Sequence, residues 1–434
     1  MRLPAFKRLA VCLIAVALLS PGVMLASGYS IFEQGAKATA VGGAFAATAD
    51  DPSAMFYNVA GIAFQRRLAA MTGATWITFN ASFEGDPDSF PGEGATGTFE
   101  EHNFIIPTTY AVIPVGENMT FGIAQFTAFG LRTDWANGET FPGRFISRDA
   151  NLKTASLQPS FAWKTMNDRL AIGVGVEYRR ARVILEQHVP AINPFTQRIV
   201  DVAEVQLDTD WEGDFGYNAG IIWIPAENWR IGISHRTDME IEFDNGTAEF
   251  EQISTGNAEL DAIIRATRLP PNQGISTSVP FPSLTHLGVA TTVIPNWTVE
   301  FNAVKATWSE FDELAVEFDQ TPANNIALEQ NWHDTWSYRI GGSRQVTERW
   351  GVRLGAVYDE NPQPVEVVGP LLPDADRVGV SYGLGYKGEH WSVEASHLII
   401  HFEERDTQGR NSDNFNGTYT NVANLVTLNL GYTF

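Results

Sequence analysis

Along most of the chain, apolar and polar side chains alternate with a period of two. In residues 170–183, for example, Ile172, Val174, Val176 and Tyr178 occupy alternate positions, and glycine or charged residues lie between them. Such alternation predicts β-strands whose two faces meet different surroundings. Because one face is aromatic and aliphatic while the other is charged or glycine, the pattern is typical of strands between lipid and a barrel lumen.

Fourteen segments carry this alternation and are predicted to be strands. They cover residues 68–83, 104–114, 120–130, 152–165, 170–183, 203–224, 229–243, 284–293, 297–307, 334–346, 350–359, 377–387, 391–402 and 423–434. The odd-numbered gaps between them hold 17 to 40 residues, and the even-numbered gaps hold 3 to 5. Long loops at one end and short turns at the other are typical of outer-membrane barrels. The predicted fold is therefore all-β, a 14-stranded antiparallel transmembrane β-barrel.

Four tryptophans support this arrangement. Each begins a predicted strand directly after a short turn: Trp229, Trp297, Trp350 and Trp391. An indole ring is amphipathic and is well solvated at a membrane–water interface, so their shared position predicts an aromatic girdle. The chain ends in an alternating strand with a terminal aromatic, Phe434. That last strand must pair with the first to leave no open edge.

The first 26 residues have the composition of a secretory signal peptide. Arg2, Lys7 and Arg8 precede an apolar run over residues 9–19, and small residues lead to Ala26. The apolar run is too short to cross a bilayer as a helix. We therefore expect export across the inner membrane and cleavage after Ala26.

Cysteine content and charge exclude several classes of function. The only cysteine, Cys12, lies in the predicted signal peptide, so the mature chain has no thiol for a disulfide, a zinc site or catalysis. The formal charge of −22 becomes −25 (−22 − 3) without the three signal-peptide cations, which argues against nucleic-acid binding. We expect no cofactor and no metal. The expected partners are outer-membrane lipid, lipopolysaccharide and a hydrophobic small molecule, and the chain is expected to be a monomer.

Residues 27–67 do not follow the strand pattern. They are rich in glycine and alanine and contain no segment long enough to cross a membrane as a strand. Fourteen strands enclose a lumen that is too wide for side chains alone to fill. This segment is therefore predicted to be a small N-terminal hatch, or plug, inside the lumen of a barrel formed by residues 68–434.

Short motifs follow one another in a fixed order along the mature chain. They include Ser27-Gly28-Tyr29, Asn58-Val59-Ala60-Gly61, Phe129-Gly130-Leu131, Phe141-Pro142-Gly143-Arg144, Leu157-Gln158-Pro159-Ser160, Trp332-His333-Asp334-Thr335 and Leu372-Pro373-Asp374-Ala375-Asp376-Arg377. Their order and spacing resemble the FadL family of outer-membrane long-chain fatty acid transporters, which includes relatives that take up toluene and xylene. The resemblance covers essentially the whole mature chain.

The resemblance implies a route for the ligand. Members of the family bind it in an outer groove, pass it to a pocket in the barrel and release it sideways, beside an inward kink in the third strand. By position, the lateral exit is expected at Phe129, Gly130 and Leu131.

The resemblance also implies a gate in the hatch, expected at Asn58, Ala60 and Gly61. The family usually has proline where this chain has Val59. Valine lacks the fixed φ of proline, so a less rigid hatch is expected here.

Residues 244–283 form the longest predicted loop, and residues 258–266 within it are predicted to be helical. Leu260, Ile263 and Ile264 share one face of that helix at i, i+3, i+4 spacing. An apolar face on an outer loop is suited to line a ligand groove. The alternative is a helix that only packs on the barrel rim.

Three arginines are candidates for binding a ligand carboxylate. The alternation of the strands directs Arg179, Arg236 and Arg339 toward the lumen, where a guanidinium can form a charge-assisted hydrogen bond with a fatty acid. The alternative is that they pair with lumen acids such as Glu177, Asp214 and Glu300, because an unpaired buried charge is costly.

The leading hypothesis is passive uptake of long-chain fatty acids or similar amphiphiles, and the chain is not expected to be an enzyme. A second hypothesis keeps the class and changes the cargo to monoaromatic or alkane hydrocarbons. An outer-membrane lipid hydrolase is a third, but no nucleophile, base and orienting group can be assembled from the sequence. A porin for polar solutes is the fourth, and a hatch inside the lumen argues against it.

Overall fold

The structure, a computed structural model, describes residues 28–434. The predicted signal peptide lies outside the described residues. The barrel strands are β1 (Ala69–Gly85), β3 (Asn103–Val115), β4 (Met119–Phe126), β6 (Asp149–Lys164), β7 (Leu170–Ile192), β9 (Glu212–Ala226), β10 (Trp229–Arg236), β13 (Leu284–Thr291), β14 (Trp297–Ala306), β17 (Thr335–Gln345), β18 (Trp350–Asp359), β19 (Arg377–Lys387), β20 (Trp391–Phe402) and β22 (Gly417–Thr433).

Shorter elements lie between the barrel strands or before them. The additional strands are β2 (Thr96–Thr98), β5 (Leu131–Asp134), β8 (Ile199–Asp208), β11 (Met239–Gln252), β12 (Gln273–Phe281), β15 (Glu313–Phe318), β16 (Ile326–Glu329) and β21 (Arg405–Asp406). The α-helices are Ala36–Ala40, Ala54–Tyr57 and Ala258–Thr267. The 3-10 helices are Val59–Phe64, Trp308–Glu310, Pro322–Asn324 and Val365–Val367. Among residues 28–434, no helix has both the length and the apolar composition needed to cross a bilayer.

The fourteen barrel strands form a closed antiparallel ring. Each pairs with the next along the chain, and the last, β22, pairs with β1 from Ala69 opposite Thr433 to Gly85 opposite Gly417. This pairing gives both terminal strands a partner, so the ring has no open edge. The predicted 14-stranded barrel is confirmed.

The two faces of the strands differ as the alternation predicts. On β7, Ile172 and Val174 are 46% and 54% exposed at the outer surface, whereas Glu177 and Arg179 are buried inside. Rows of exposed aliphatic side chains are costly in water and favourable against lipid. The four predicted interface tryptophans are the first residues of β10, β14, β18 and β20, as predicted.

Two predicted strands are wrong as single elements. The segment 203–224 is divided at residues 209–211, where the chain has one residue more than β7 opposite it. Such a β-bulge bends a strand without ending the sheet, and alternation alone does not reveal it. The segment 229–243 is likewise divided, because β10 ends at Arg236 and β11 begins at Met239.

The predicted 40-residue loop, 244–283, is largely ordered. It holds the end of β11, the helix Ala258–Thr267 and β12, and β11 also pairs with β8. These strands extend the wall beyond the ring of paired barrel strands. The helix predicted at 258–266 is confirmed.

Residues 28–67 lie within the barrel and contact its inner wall. Glu300 on β14 accepts hydrogen bonds from the backbone N–H groups of Ala47, at 2.7 Å, and Thr48, at 2.8 Å. The side chain of Asn58 donates to the carbonyl oxygens of Ala46, at 2.8 Å, and of Ile221 on β9, at 3.1 Å. These contacts satisfy buried backbone groups that have no strand of their own to pair with.

Glycines on the inner wall allow this segment to approach closely. A Cβ atom at Gly341 would collide with the carbonyl oxygen of Val41, and one at Gly173 would lie 2.7 Å from the backbone nitrogen of Ala60. Glycine is required where one backbone packs directly against another. The N-terminal segment therefore depends on the absence of side chains at these positions.

We expect Gly341→Ala to destabilise the packing of the N-terminal segment, because the new methyl group must displace backbone atoms of Val41. Overpacking of this kind costs about 1–3 kcal/mol. The measurement is the temperature at which the folded barrel in detergent converts to the slower-migrating unfolded form. The adjacent Gly342→Ala is the matched control, since its Cβ would meet only the ring of Trp297, at 3.3 Å. Equal transition temperatures for the two variants would contradict the prediction.

Candidate functional site

The third barrel strand is interrupted. Strand β4 ends at Phe126 and β5 begins at Leu131, and residues 127–130 leave the ladder between them. The pairing of β3 with β4 stops at Thr109 opposite Gln125, so within the described chain residues 103–108 of β3 pair only with β1. The hydrogen-bonded wall is therefore broken beside this interruption.

The N-terminal segment supplies the missing backbone partners of the interruption. Ser30 forms an antiparallel bridge with Phe129. On either side of it, the N–H of Ile31 donates to the carbonyl of Ala128 at 2.7 Å, and the N–H of Gly130 donates to the carbonyl of Tyr29 at 2.7 Å. The interruption is thus bent inward onto a short strand-like piece of the N-terminal segment.

Gln34 holds the lower end of the interruption. Its side-chain amide donates to the carbonyl of Thr127 and its amide oxygen accepts from the N–H of Thr127 at 3.3 Å. The hydroxyl of Tyr110 on β3 donates to the carbonyl of Gln34 at 2.7 Å. One buried glutamine therefore joins the N-terminal segment to the strands on both sides of the break.

Tyr29 lies at the centre of an aromatic cluster. Ring centroids within 6.2 Å of its own belong to Phe129, Phe281, Trp308, Phe311 and Trp332. Edge-to-face packing of this kind adds to the burial of the rings themselves. The cluster fixes the N-terminal segment beside the interruption of the third strand.

The start of the described chain is held by an acidic group. The N–H of Gly28 donates to Oδ2 of Asp374 at 2.9 Å, and Nη2 of Arg377 lies 3.5 Å from Oδ1 of the same carboxyl. Burial raises the pKa of the Asp374 carboxyl, and the positive charge of Arg377 acts in the opposite direction. Asp374 thereby connects the loop between β18 and β19 to the N-terminal segment.

Three cavities follow one another from the end with the long loops toward Tyr29. The innermost is about 60 Å³ and is lined almost entirely by apolar side chains, among them Tyr29, Leu131 and Phe311. The next two measure about 170 Å³ and 240 Å³. Leu371 lines all three. The three lie side by side between the long loops and the N-terminal segment. The innermost is apolar, whereas polar and acidic side chains such as Glu186, Gln187 and Asp413 also line the outer two.

The innermost cavity is narrow for a ligand. A cavity of about 150 Å³ is large enough to hold benzene, whereas this one is about 60 Å³. Either an aromatic ring or an acyl chain therefore requires it to widen. Tyr29 forms part of its wall, so movement of the N-terminal segment would enlarge it.

The three predicted carboxylate-binding arginines are buried and paired with acids. Arg179 lies 2.8 Å from Glu177, Arg236 pairs with the other oxygen of Glu177, and Arg339 lies 3.0 Å from Asp359. Pairing with Glu177 is the alternative stated from the sequence. Glu300, also named there as a partner, instead holds Ala47 and Thr48. Binding of a ligand carboxylate by these arginines stays a prediction.

The predicted groove residues lie on the helix Ala258–Thr267. Leu260 and Ile264 are buried against Val202 of β8, whereas Ile263 is 43% exposed. None of the three lines the cavities described above. The first two make the contacts of a packing face, so the groove role stays a prediction that rests mainly on Ile263.

The predicted hatch residues are all buried. Asn58 caps the 3-10 helix Val59–Phe64 through a hydrogen bond from the N–H of Ala60, at 3.1 Å. A Cβ atom at Gly61 would collide with the carbonyl of Ala49. Val59, which replaces the usual proline, is buried inside this helix. These residues make anchoring contacts, and their role as a gate stays a prediction.

Gln34, Tyr29 and Leu371 were not among the functional residues predicted from the sequence. Tyr29 belongs to a motif quoted above, but no sequence signal indicated its aromatic neighbours, which come from three separate loops or strands. Gln34 and Leu371 do not lie in any of the motifs quoted above. Contacts across the lumen join residues that are far apart in the sequence, and the alternation along a single strand cannot predict such contacts.

Comparison with known proteins identifies the family. A family model described as "Outer membrane protein transport protein (OMPP1/FadL/TodX)" matches residues 16–434, and the chain belongs to this family. The long-chain fatty acid transport protein of Escherichia coli O6:H1 is 24% identical over 411 residues, covering 89% of this chain and 90% of its own. Outer membrane protein P1 of Haemophilus influenzae is 23% identical over 435 residues, covering 90% and 91%.

Solved structures share the fold. A Pseudomonas aeruginosa FadL homologue superimposes with a TM-score of 0.77 at 21% identity, covering 95% of this chain and all of its own. The Pseudomonas putida toluene transporter TodX gives a TM-score of 0.71 at 15% identity, covering 92% and 98%. The chain is an outer-membrane β-barrel protein, as its family and its closed ring of strands both show.

Replacing Glu177 with glutamine should destabilise the barrel strongly, because Arg179 and Arg236 both lose their buried counter-ion. Removing one partner of a buried ion pair costs about 3–5 kcal/mol. Urea unfolding of the purified barrel measures the change, with Glu84→Gln, an exposed carboxylate on β1, as the control. An unfolding midpoint equal to that of the control would show that the arginines do not depend on Glu177.

Proposed function

We propose that this member of the outer-membrane transport family carries hydrophobic molecules passively from outside into the membrane. The ligand enters at the cavities near the long loops, passes to the cavity beside Tyr29 and leaves sideways at residues 127–130. The observation that carries the proposal is the continuity between these parts. Leu371 lines all three cavities, Tyr29 lines the innermost, and the carbonyl of Tyr29 accepts a hydrogen bond from Gly130 in the interrupted third strand.

Capture at the long-loop end is supported by the lining of the two outer cavities. Leu314, Leu328 and Leu371 contribute to one or both of them. Transfer of an acyl chain from water to such surroundings is favourable by about 0.8 kcal/mol for each methylene group. The same chain would gain nothing in a water-filled channel.

Sideways release is supported by the break in the ladder. Because residues 103–108 have no strand partner on that side, a ligand can pass between β3 and the interruption without breaking strand hydrogen bonds. Phe129 and Leu131 lie at this point and are buried. In this proposal Phe129, Gly130 and Leu131 form the lateral exit, and the N-terminal segment blocks it until it moves.

Long-chain fatty acids are the proposed ligand class. The relative from Escherichia coli carries the name of a long-chain fatty acid transport protein and covers nearly the whole chain. An extended acyl chain fits a series of adjoining narrow cavities better than it would fit one compact chamber. The fatty acid carboxylate would meet water and neutral polar groups near the mouth, where Gln330 and Ser412 line the 240 Å³ cavity.

A second candidate, uptake of neutral hydrocarbons, is favoured by two specific observations. The innermost cavity has an almost wholly apolar lining, and the arginines expected to meet a carboxylate already hold acids. A neutral ligand makes no demand on those ion pairs. The toluene transporter of Pseudomonas putida has the same fold.

We further propose that the protein acts as a monomer in contact with the lipids of the outer membrane. Outer-membrane lipid and lipopolysaccharide would contact the exposed aliphatic face, and a single chain would suffice because it contains the whole path. No chemical change of the ligand is required, in keeping with the transport names of the relatives, so the protein would act without catalysis.

Leu371→Arg should lower uptake about tenfold, equal to about 1.4 kcal/mol, because a charge would enter the lining of all three cavities. Cells lacking the natural protein would carry each variant, with labelled oleate and labelled toluene as substrates. Met166→Arg, at a turn residue that is 92% exposed, is the control.

Unchanged uptake of both substrates by Leu371→Arg would contradict the proposed path. Unchanged oleate uptake after loss of the entire protein would overturn the fatty acid assignment. Dependence of toluene uptake on the protein, with no dependence of oleate uptake, would select the hydrocarbon candidate.

A disulfide between Ser30→Cys and Phe129→Cys should abolish uptake reversibly, because it joins the N-terminal segment to the exit. The two residues form an antiparallel pair flanked by hydrogen bonds. Cα atoms in such a pair are about 4.5 Å apart, within the range that a disulfide spans.

Oleate uptake by oxidised cells should fall to the level of cells without the protein and return after reduction. The only natural cysteine, Cys12, lies in the predicted signal peptide, and the two single-cysteine variants control for loss of each side chain. Full uptake by the oxidised double variant would show that the segment need not leave the exit.

A further inference from the structure

Three side chains at the rim of the barrel converge on one point. Glu139 comes from the segment between β5 and β6, His188 from β7 and Glu204 from β8. Each offers one ligand atom, and these atoms all lie within 4.8 Å of one another. The outer-membrane rule that long loops face outward puts this cluster on the external side.

His188 is oriented as metal-binding histidines are. Its side chain is fully buried, and Nδ1 lies 3.1 Å from Oδ2 of Asp201. Nε2 has no hydrogen-bond partner and lies 3.8 Å from Oε2 of Glu139. A carboxylate that accepts from one ring nitrogen leaves the lone pair of the other free for a metal.

Asp201 is itself held in place. Both of its carboxylate oxygens accept hydrogen bonds from Arg144, each at 2.9 Å. This bidentate contact fixes the carboxylate, which in turn fixes the ring of His188. The cluster therefore has a supporting layer as well as possible ligands.

The local charge leaves room for a divalent cation. Four carboxylates belong to the connected group, and two arginines, Arg144 and Arg148, oppose them. The carboxylates are those of Glu139, Glu186, Asp201 and Glu204. With His188 neutral, the formal charge is −2 (−4 + 2). A divalent ion would neutralise it.

Arg148 is the group with which a metal would compete. Its Nη1 lies 3.2 Å from Glu139 and 2.8 Å from Glu204, while Nη2 lies 2.8 Å from Glu186. When a cation takes the first two acids, Arg148 keeps Glu186. No charged group is then left without a partner.

We propose that Glu139, His188 and Glu204 bind a divalent transition-metal ion of the zinc class. Imidazole nitrogen with carboxylate oxygen suits zinc, whereas calcium takes oxygen ligands alone. Tetrahedral zinc with bonds of about 2.1 Å brings its ligand atoms to about 3.4 Å from one another. Glu139 can supply this contraction, because its side chain is 71% exposed. Water would complete the coordination.

Such an ion would brace the mouth of the ligand path. Phe145, Ile146 and Ser147 follow Glu139 in the same segment and line the 170 Å³ cavity, together with Glu186 and Gln187 beside His188. A metal bond between the two segments would fix the separation of these walls. This consequence rests on the proposed function, whereas binding of the ion does not.

The test uses the full mature barrel in detergent, purified without a polyhistidine tag. Calorimetric titration with Zn²⁺ should show one saturable site, and Co²⁺ should give the visible absorption of a tetrahedral complex. Glu139→Gln and Glu204→Gln should each weaken Zn²⁺ binding at least about tenfold. Glu117→Gln, at an exposed turn residue of the opposite end, should bind like the natural chain.

Arg148→Gln should strengthen Zn²⁺ binding because it removes the competing cation, and this gain separates a built site from general attraction to acidic groups. Absence of saturable Zn²⁺ binding would overturn the proposal. Equal affinity of the natural chain and the two ligand variants would overturn it as well, and so would displacement of Zn²⁺ by an equal concentration of Ca²⁺. None of these results depends on uptake, so the transport proposal is judged separately.

Discussion

The hydrogen bonding of the backbone in lipid is the constraint on which this structure depends. A strand in the bilayer has no water to satisfy its N–H and C=O groups, so every strand needs a partner. The ring from β1 to β22 meets most of this demand, but the ladder is broken beside the third strand. There the N-terminal segment provides the partners, with Tyr29 and Ile31 bonded to residues 127–130. Residues 127–130 thereby keep backbone partners outside the ladder, while residues 103–108 of β3 are paired on one side only, with β1.

The same constraint shapes the lumen. A segment that is neither strand nor long helix carries many backbone groups that must be satisfied away from water. Glycines on the wall let it come close enough, as Gly173 and Gly341 do, and polar wall residues such as Glu300 then accept its N–H groups. Wide spaces on the lumen side would leave those groups unpaired. The close approach that the wall glycines permit is therefore also what allows the polar wall residues to form hydrogen bonds with this segment.

Sequence alone predicted the elements whose cause is local. Alternation and turn length depend on neighbouring residues, so the ring of strands and the tryptophans that begin four of them followed directly. The bulge at residues 209–211 was missed because one extra residue is visible only against the partner strand. Leu371 and Gln34 were missed because their importance comes from residues far away in the chain. The sequence did not decide whether Arg179 pairs with Glu177, because alternation shows which face of the strand a side chain lies on but not its distance from another side chain.

The position of Tyr29 links two events that could otherwise be independent. Its side chain forms part of the wall of the innermost cavity, while its carbonyl accepts a hydrogen bond from Gly130 in the interrupted strand. A ligand the size of benzene, which takes a cavity of about 150 Å³, would displace this wall on entering a cavity of about 60 Å³. Displacing the ring would move the backbone that covers the proposed exit. In the proposed function, arrival of the ligand and opening of the side of the barrel would then be one movement, driven by the binding energy of the ligand.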